Sequence, residues 1–92
     1  MPRFFIEVPH GASTADCNRA IDTFLRTGSH FLTHADWGCK DGEHKAWFIA
    51  ELDSKDEARN IVPSPYRHDA KVVQLTVFSL KDMEGLRKTH KG

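Results

Sequence analysis

Apolar and aromatic positions crowd the start of the chain. Arg3–Val8 (RFFIEV) is stopped by Pro9-His10-Gly11, which predicts a strand. The period then changes: Cys17, Ala20, Ile21, Phe24 and Leu25 recur at the spacing of one helix face. Ser13 supplies an N-cap with Asp16 three residues on, and Gly28 fits the left-handed stop. Cys17, on the apolar face, is expected in the core as a small apolar residue. Within Ser29–Trp47 (SHFLTHADWGCKDGEHKAW), Asp41-Gly42 is a strong two-residue hairpin signal and predicts a strand on either side. Ser54-Lys55-Asp56-Glu57 is a capping box that opens a short helix through Ala58, Ile61 and Val62, ended by Pro63. Pro63–Asp69 (PSPYRHD) reads as a loop and Ala70–Phe78 (AKVVQLTVF) as a final strand. Ser79 and Asp82 cap a short terminal helix, and Arg87–Gly92 (RKTHKG) forms a frayed end with a mildly basic character.

The resulting order, β-α-β-β-α-β, predicts a ferredoxin-like α+β domain over residues 1–80: a four-stranded antiparallel sheet with two helices on one face. Residues 81–92 form a short C-terminal helix or flexible tail. A type I′ turn at Asp41-Gly42 sets Lys40 opposite Glu43, Cys39 opposite His44, Trp37 opposite Ala46 and Ala35 opposite Phe48. Thr33 then faces Ala50, and Phe31 faces Leu52. That face is apolar and belongs against the helices, with Phe4, Ile6, Val8, Val73, Leu75 and Val77. The other face receives Phe5, Glu7, His30, Leu32, His34, Asp36, Lys45, Trp47, Ile49, Glu51, Asp53, Val72, Gln74, Thr76 and Phe78. It would expose on the order of several hundred Å² of apolar surface, more than a monomer usually shows. A second copy covering it gives a homodimer through the open sheet face.

The opening MPRFFIEVP, the following helix, the Asp41-Gly42 hairpin and the closing VVQLTVF resemble the dimeric α/β-barrel superfamily of small proteins. The resemblance spans roughly residues 3–80 and lies in layout. That superfamily includes muconolactone-isomerase-like enzymes, cofactor-free monooxygenases and short uncharacterised proteins, some of them metal-binding. The resemblance implies the fold and the dimer, and carries no catalytic residue onto this chain.

Composition narrows the classes. Thirteen basic and thirteen acidic residues in 92 leave no net charge, which argues against a polyanion binder; Glu7, Asp36 and Glu51 on the aromatic face also disfavour nucleic acid. Six histidines make the charge sensitive to mild acid. Two cysteines, Cys17 and Cys39, are too few for a disulfide framework and form no CxxC, so a reduced, cytoplasmic protein is expected. No signal peptide and no membrane-spanning apolar run is legible. Glycine-rich phosphate loops and GxSxG elbows are missing too.

The candidate chemistry gathers on the open face. Phe5, Glu7, His34, Asp36, Trp47, Glu51 and Gln74 form an apolar cleft with convergent polar groups, the usual form of a small-molecule site, here for a planar or apolar ligand. His34, oriented by Glu51, is the candidate general base of a cofactor-independent isomerase or monooxygenase, with Glu7 and Glu51 as further proton-transfer groups. The same polar groups would serve equally as hydrogen-bonding partners across a dimer interface. A transition-metal (Ni/Zn) protein is the third reading. His30, His34, Cys39 and His44 cannot converge, because alternation sends the first two to the open face and the last two to the helix face. His30 and His34 on a strand would stand about 13 Å apart. What remains is a Cys39–His44 pair by the turn, and His34 with His30, Asp36 or Glu51. No metal ligand set is assigned and no cofactor is expected.

Overall fold

The computed structural model describes the backbone of residues 1–89 and the side chains of residues 1–85; His90, Lys91 and Gly92, part of the expected basic tail, lie outside the described residues. The elements run β1 (Arg3–Pro9), α1 (Thr14–Arg26), α2 (His30–Thr33), β2 (Asp36–Trp37), a 3₁₀ turn (Cys39–Asp41), β3 (Lys45–Glu51), α3 (Lys55–Asn60), α4 (Ser64–Arg67), β4 (Lys71–Leu75) and α5 (Leu80–Thr89). The strands form one antiparallel sheet in the order β2-β3-β1-β4. This α+β architecture is consistent with a ferredoxin-like layout.

Local signals account for most boundaries. The Ser13 hydroxyl accepts the Asp16 amide (3.0 Å), and Ser54 accepts that of Glu57 (3.1 Å). Glu57 reaches back to the Asp53 amide (3.0 Å), a variant of the capping box. Ser79 and Asp82 cap α5 reciprocally: the Ser79 amide donates to Asp82 (2.9 Å) and the Asp82 amide to the Ser79 hydroxyl (3.1 Å). α5 runs as backbone helix from Leu80 to Thr89, so it takes in the first residues of the segment expected to fray. The segment read as a loop contains α4, whose Arg67 donates to the carbonyls of Val62 (3.1 Å) and Asn60 (3.1 Å) at the end of α3.

The core lies between one sheet face and the helices. Phe4, Ile6 and Val8 of β1 and Ala46, Phe48 and Ala50 of β3 are buried, as the alternation requires, against Ala20, Phe24, Leu32, Ala58 and Val62. Phe24 packs edge-on against Trp37, Phe48 and Tyr66, with centroids 5.0, 6.4 and 6.1 Å away. The two alanines beside Phe48 give these rings room.

Three expectations are corrected. The long strand before the turn is instead the helical turn α2 followed by a two-residue β2. Its register is the expected one, Trp37 opposite Ala46 and Asp36 opposite Trp47. Phe31 and Leu32 are adjacent and apolar, so a strand could bury only one; the helical turn buries Leu32 (1% exposed) and packs Phe31 against the core as well. Leu32 therefore leaves the open face. The second correction concerns β4, which ends at Leu75 and has its faces exchanged. Val72 pairs with Ile6 and is 4% exposed, while Val73 pairs with Phe5 and is 39% exposed. Adjacent valines leave alternation undecided, and a one-residue slip turns every side chain over. Third, the two-residue turn is a wider connection: the 3₁₀ turn is followed by Gly42 in the left-handed region (φ 80°). Lys40 sits inside that turn and no longer faces Glu43 across a ladder.

Candidate metal centre

At the end of the sheet where β1 finishes and β3 begins, Pro9 pairs with Lys45, and one step beyond the ladder the His10 amide donates to the His44 carbonyl (3.0 Å). The antiparallel register thus sets the two histidines side by side, their ring centroids 5.9 Å apart. The 3₁₀ turn brings Cys39 to the same place. Gly38 makes the turn tight enough: its N–H donates to Lys45 O (3.1 Å), and its carbonyl accepts from Asp41 N (3.0 Å) and Glu43 N (3.0 Å). A Cβ on Gly38 would stand 2.7 Å from the Trp47 ring and 2.8 Å from the Glu43 carbonyl oxygen, so only glycine fits.

His10, Cys39 and His44, all half-buried, each offer one ligand atom, and these atoms lie within 4.8 Å of one another. They form the one such group of three or more among the described residues. The His10 ring is already set for coordination. Its Nδ1 lies 2.9 Å from the Gly11 carbonyl, which can only accept, so Nδ1 carries the proton and Nε2 keeps its lone pair. Nε2 is the atom that meets Cys39 Sγ, at 3.2 Å. A backbone carbonyl holding the far nitrogen is the usual support of a metal-ligating histidine. His44 Nδ1 is buried and has no hydrogen-bond partner. An orphaned buried nitrogen costs about 1–3 kcal/mol, which a bound ion or its coordination shell would relieve.

The thiols meet here as well. Burial first, then the neighbouring Cys17 thiol, push the Cys39 thiol up to about 11, against an opposing backbone hydrogen bond. Cys17, expected in the core, is half-buried and outside the core cluster; with Cys39, His44, Ser13 and Asn18 it lines a pocket of about 180 Å³. On the core side the site is walled by Trp37, 5.7 Å from the His10 ring and 5.0 Å from Phe24.

The open face holds most of the other candidates, in two shallow concavities. Phe5, His34, Asp36, Trp47, Phe48 and Ile49 line one of about 290 Å³. Met1, His30, Phe31, His34, Phe48, Ile49 and Glu51 line another of about 470 Å³. His34 and Glu51 thus share a concavity, but the His34 ring is oriented by His30, not by Glu51: Nδ1 donates to the His30 carbonyl (2.8 Å) and lies 3.2 Å from Thr33 Oγ1. Because α2 is helical, the His30 and His34 rings are 4.4 Å apart, which corrects the expected strand separation. Glu7 is engaged across the sheet, accepting from Trp47 Nε1 (3.1 Å) and pairing with Lys45 (3.7 Å). Gln74 pairs with Phe4 and therefore shares the helix-side face, where it is exposed; it does not join the cleft. Tyr66 lines a separate hollow with Pro9, His10 and Asp69.

His10 was the candidate ligand that pattern reading passed over, because it stands in the stop signal of β1. The available signal was strand order. In a sheet with β1 antiparallel to β3, the residue that leaves β1 lies beside the one that enters β3. Compared with protein-family models, curated proteins and solved structures, the chain finds no significant match.

Proposed function

We propose that this protein is a transition-metal-binding domain in which His10, Cys39 and His44 hold a zinc-class divalent ion. The observation that carries the reading is the convergence of three ligand atoms within 4.8 Å from three separate chain segments. Imidazole and thiolate are the donors that zinc-class ions prefer over magnesium or calcium. The tautomer of His10 and the unpartnered Nδ1 of His44 support it. The test is metal content after purification under reducing conditions, zinc loading and exhaustive dialysis. One equivalent per chain is expected, lost in Cys39→Ala and in His44→Ala and retained in His34→Ala. A zinc-loaded wild-type chain that dialyses to empty overturns the reading.

We further propose that the domain is a cytoplasmic ferredoxin-like βαββαβ unit that dimerises through its open face into an α/β barrel. Exposed Ile49 (49%) and Val73 (39%), flanking Phe5 and Trp47, support this reading. The concavities beside His34 would then be enclosed as a small-molecule cleft, with His34 Nε2 as the candidate proton acceptor. No helix of the described residues is long and apolar enough to cross a membrane. Light scattering at micromolar concentration tests the dimer: a monomer is incompatible with it, and Ile49→Asp should dissociate it without removing bound metal.

A further inference from the structure

Three ligands leave a four-coordinate ion with one open position, and the surroundings offer a candidate to fill it. The pocket against Cys39 and His44 is lined by Ala12, Ser13, Thr14, Cys17, Asn18 and Lys40. Ser13 is occupied in capping α1, where its hydroxyl accepts the Asp16 amide (3.0 Å). Lys40 is a cation and repels another. Of the remainder, Cys17 alone carries a strong donor for a zinc-class ion. It sits in the first turn of α1, where its amide bonds the Ser13 carbonyl (3.0 Å), on the side of the helix that meets the 3₁₀ turn.

We infer that Cys17 is the fourth ligand, closing a Cys₂His₂ shell in which two thiolates neutralise a divalent ion. The inference rests on the metal-binding reading of the same site and decides its class. A shell with four protein ligands has no position for a substrate water, so the ion is structural or sensory in role, not a hydrolytic centre. The pattern is His10-x₆-Cys17 followed by Cys39-x₄-His44, each half contributing one nitrogen and one sulfur. The Cys17 side chain lines the same pocket as Cys39 and His44 but stands outside the group whose ligand atoms lie within 4.8 Å of one another, so the fourth bond requires its thiol to turn in toward the other three. A closed shell would tie the end of β1, the start of α1 and the β2–β3 turn together.

Cobalt(II) is the probe, titrated into the freshly reduced, metal-free full-length chain. Tetrahedral cobalt gives strong visible d–d bands, and its thiolate charge-transfer absorption grows with the number of sulfur ligands. Wild-type protein is expected to show a tetrahedral spectrum. Cys17→Ser should halve the charge-transfer intensity and weaken cobalt binding at least about tenfold. Asp16→Asn, which changes the nearest carboxylate of α1, should leave both unchanged. If Cys17→Ser keeps the full wild-type spectrum, or if Asp16→Asn is the variant that loses intensity, the closed Cys₂His₂ shell is overturned while the three-ligand site stands. A wild-type chain with no cobalt spectrum instead removes the metal-binding reading itself. Far-UV circular dichroism of each metal-free variant confirms that a lost spectrum reports lost ligation and not an unfolded chain.

Discussion

Two regions of this molecule are rich in histidine, and they differ in how their side chains are held. On the open face, His30 and His34 come from one helical turn, both are exposed, and His34 is served by a carbonyl of its own turn. Near the start of β3, His10 follows β1, His44 precedes β3 and Cys39 comes from the turn between β2 and β3. All are half-buried, and one nitrogen has no partner. Local clustering places groups close together cheaply, and solvent satisfies them. Convergence from separate segments requires the whole fold, and leaves groups out of water whose needs must be met by something else. Density of chemistry along a sequence is therefore a weaker pointer to a site than convergence across it.

The comparison can be broken most directly at His44. His44→Phe keeps a ring of similar size and removes the orphaned nitrogen. Metal retention should fall by about a hundredfold or more, beyond the usual cost of losing an outer-shell partner. The metal-free variant should unfold in urea at equal or higher concentration, by up to about 1 kcal/mol. A metal-free form markedly less stable than wild type would show that the nitrogen is satisfied. His34→Ala, made alongside, should change metal binding less than twofold, within the scatter expected of a distant surface substitution. Gly38→Ala comes next. The added methyl meets backbone at 2.8 Å, so destabilisation of about 1–3 kcal/mol is expected, together with weaker cobalt binding because the turn carrying Cys39 must shift. Equal cobalt affinity in this variant would mean that the turn does not set the site.

On the open face the effects should be smaller and blind to metal. Trp47→Phe removes the donor to Glu7 and should cost about 1 kcal/mol in chemical denaturation, with cobalt binding unchanged. The smallest effect belongs to α5. Hydrogen bonds from Ser79 hold the Asp82 carboxyl below its usual value, so the cap is intact above the unfolded pKa near about 3.9 and is lost as the pH falls through the lower folded value. A slight loss of helical circular dichroism should follow acidification below that range, and Asp82→Asn should abolish the step.

How much was legible follows the same division between local and convergent. β1, α1, α3 and the start of α5 were readable because each is specified within a few residues, by a cap or by unambiguous alternation such as Phe4, Ile6 and Val8. The register of Trp37 against Ala46 was readable because it follows by counting outward from Asp41-Gly42, and the wider turn keeps that centre. Phe31-Leu32 and Val72-Val73 were not, because paired apolar residues satisfy either face, or a helical turn, and only the space under the sheet decides. Of the cleft residues, Phe5, Asp36 and Trp47 fell together with His34; Glu51 shares a neighbouring concavity, Glu7 is engaged by Trp47 and Lys45, and Gln74 went to the other face with the rest of its strand. The site by the turn was half legible. Cys39 and His44 could be paired from the hairpin, whereas His10 and Cys17 required the neighbour relation between β1, α1 and β3.

Trp37 stands between Phe24 at the centre of the core and the His10 ring, so the core and the site share one wall. An ion that gathers His10 and Cys39 fixes that wall only in the folded chain, and so couples occupancy to folding by mass action. At a free ion concentration one hundred times the dissociation constant, such coupling adds about 2.7 kcal/mol to stability. For a domain of this size that is a substantial fraction of the whole margin. The melting temperature would then follow the free-ion concentration around the protein, and the indole at position 37 is placed to report the change by its fluorescence.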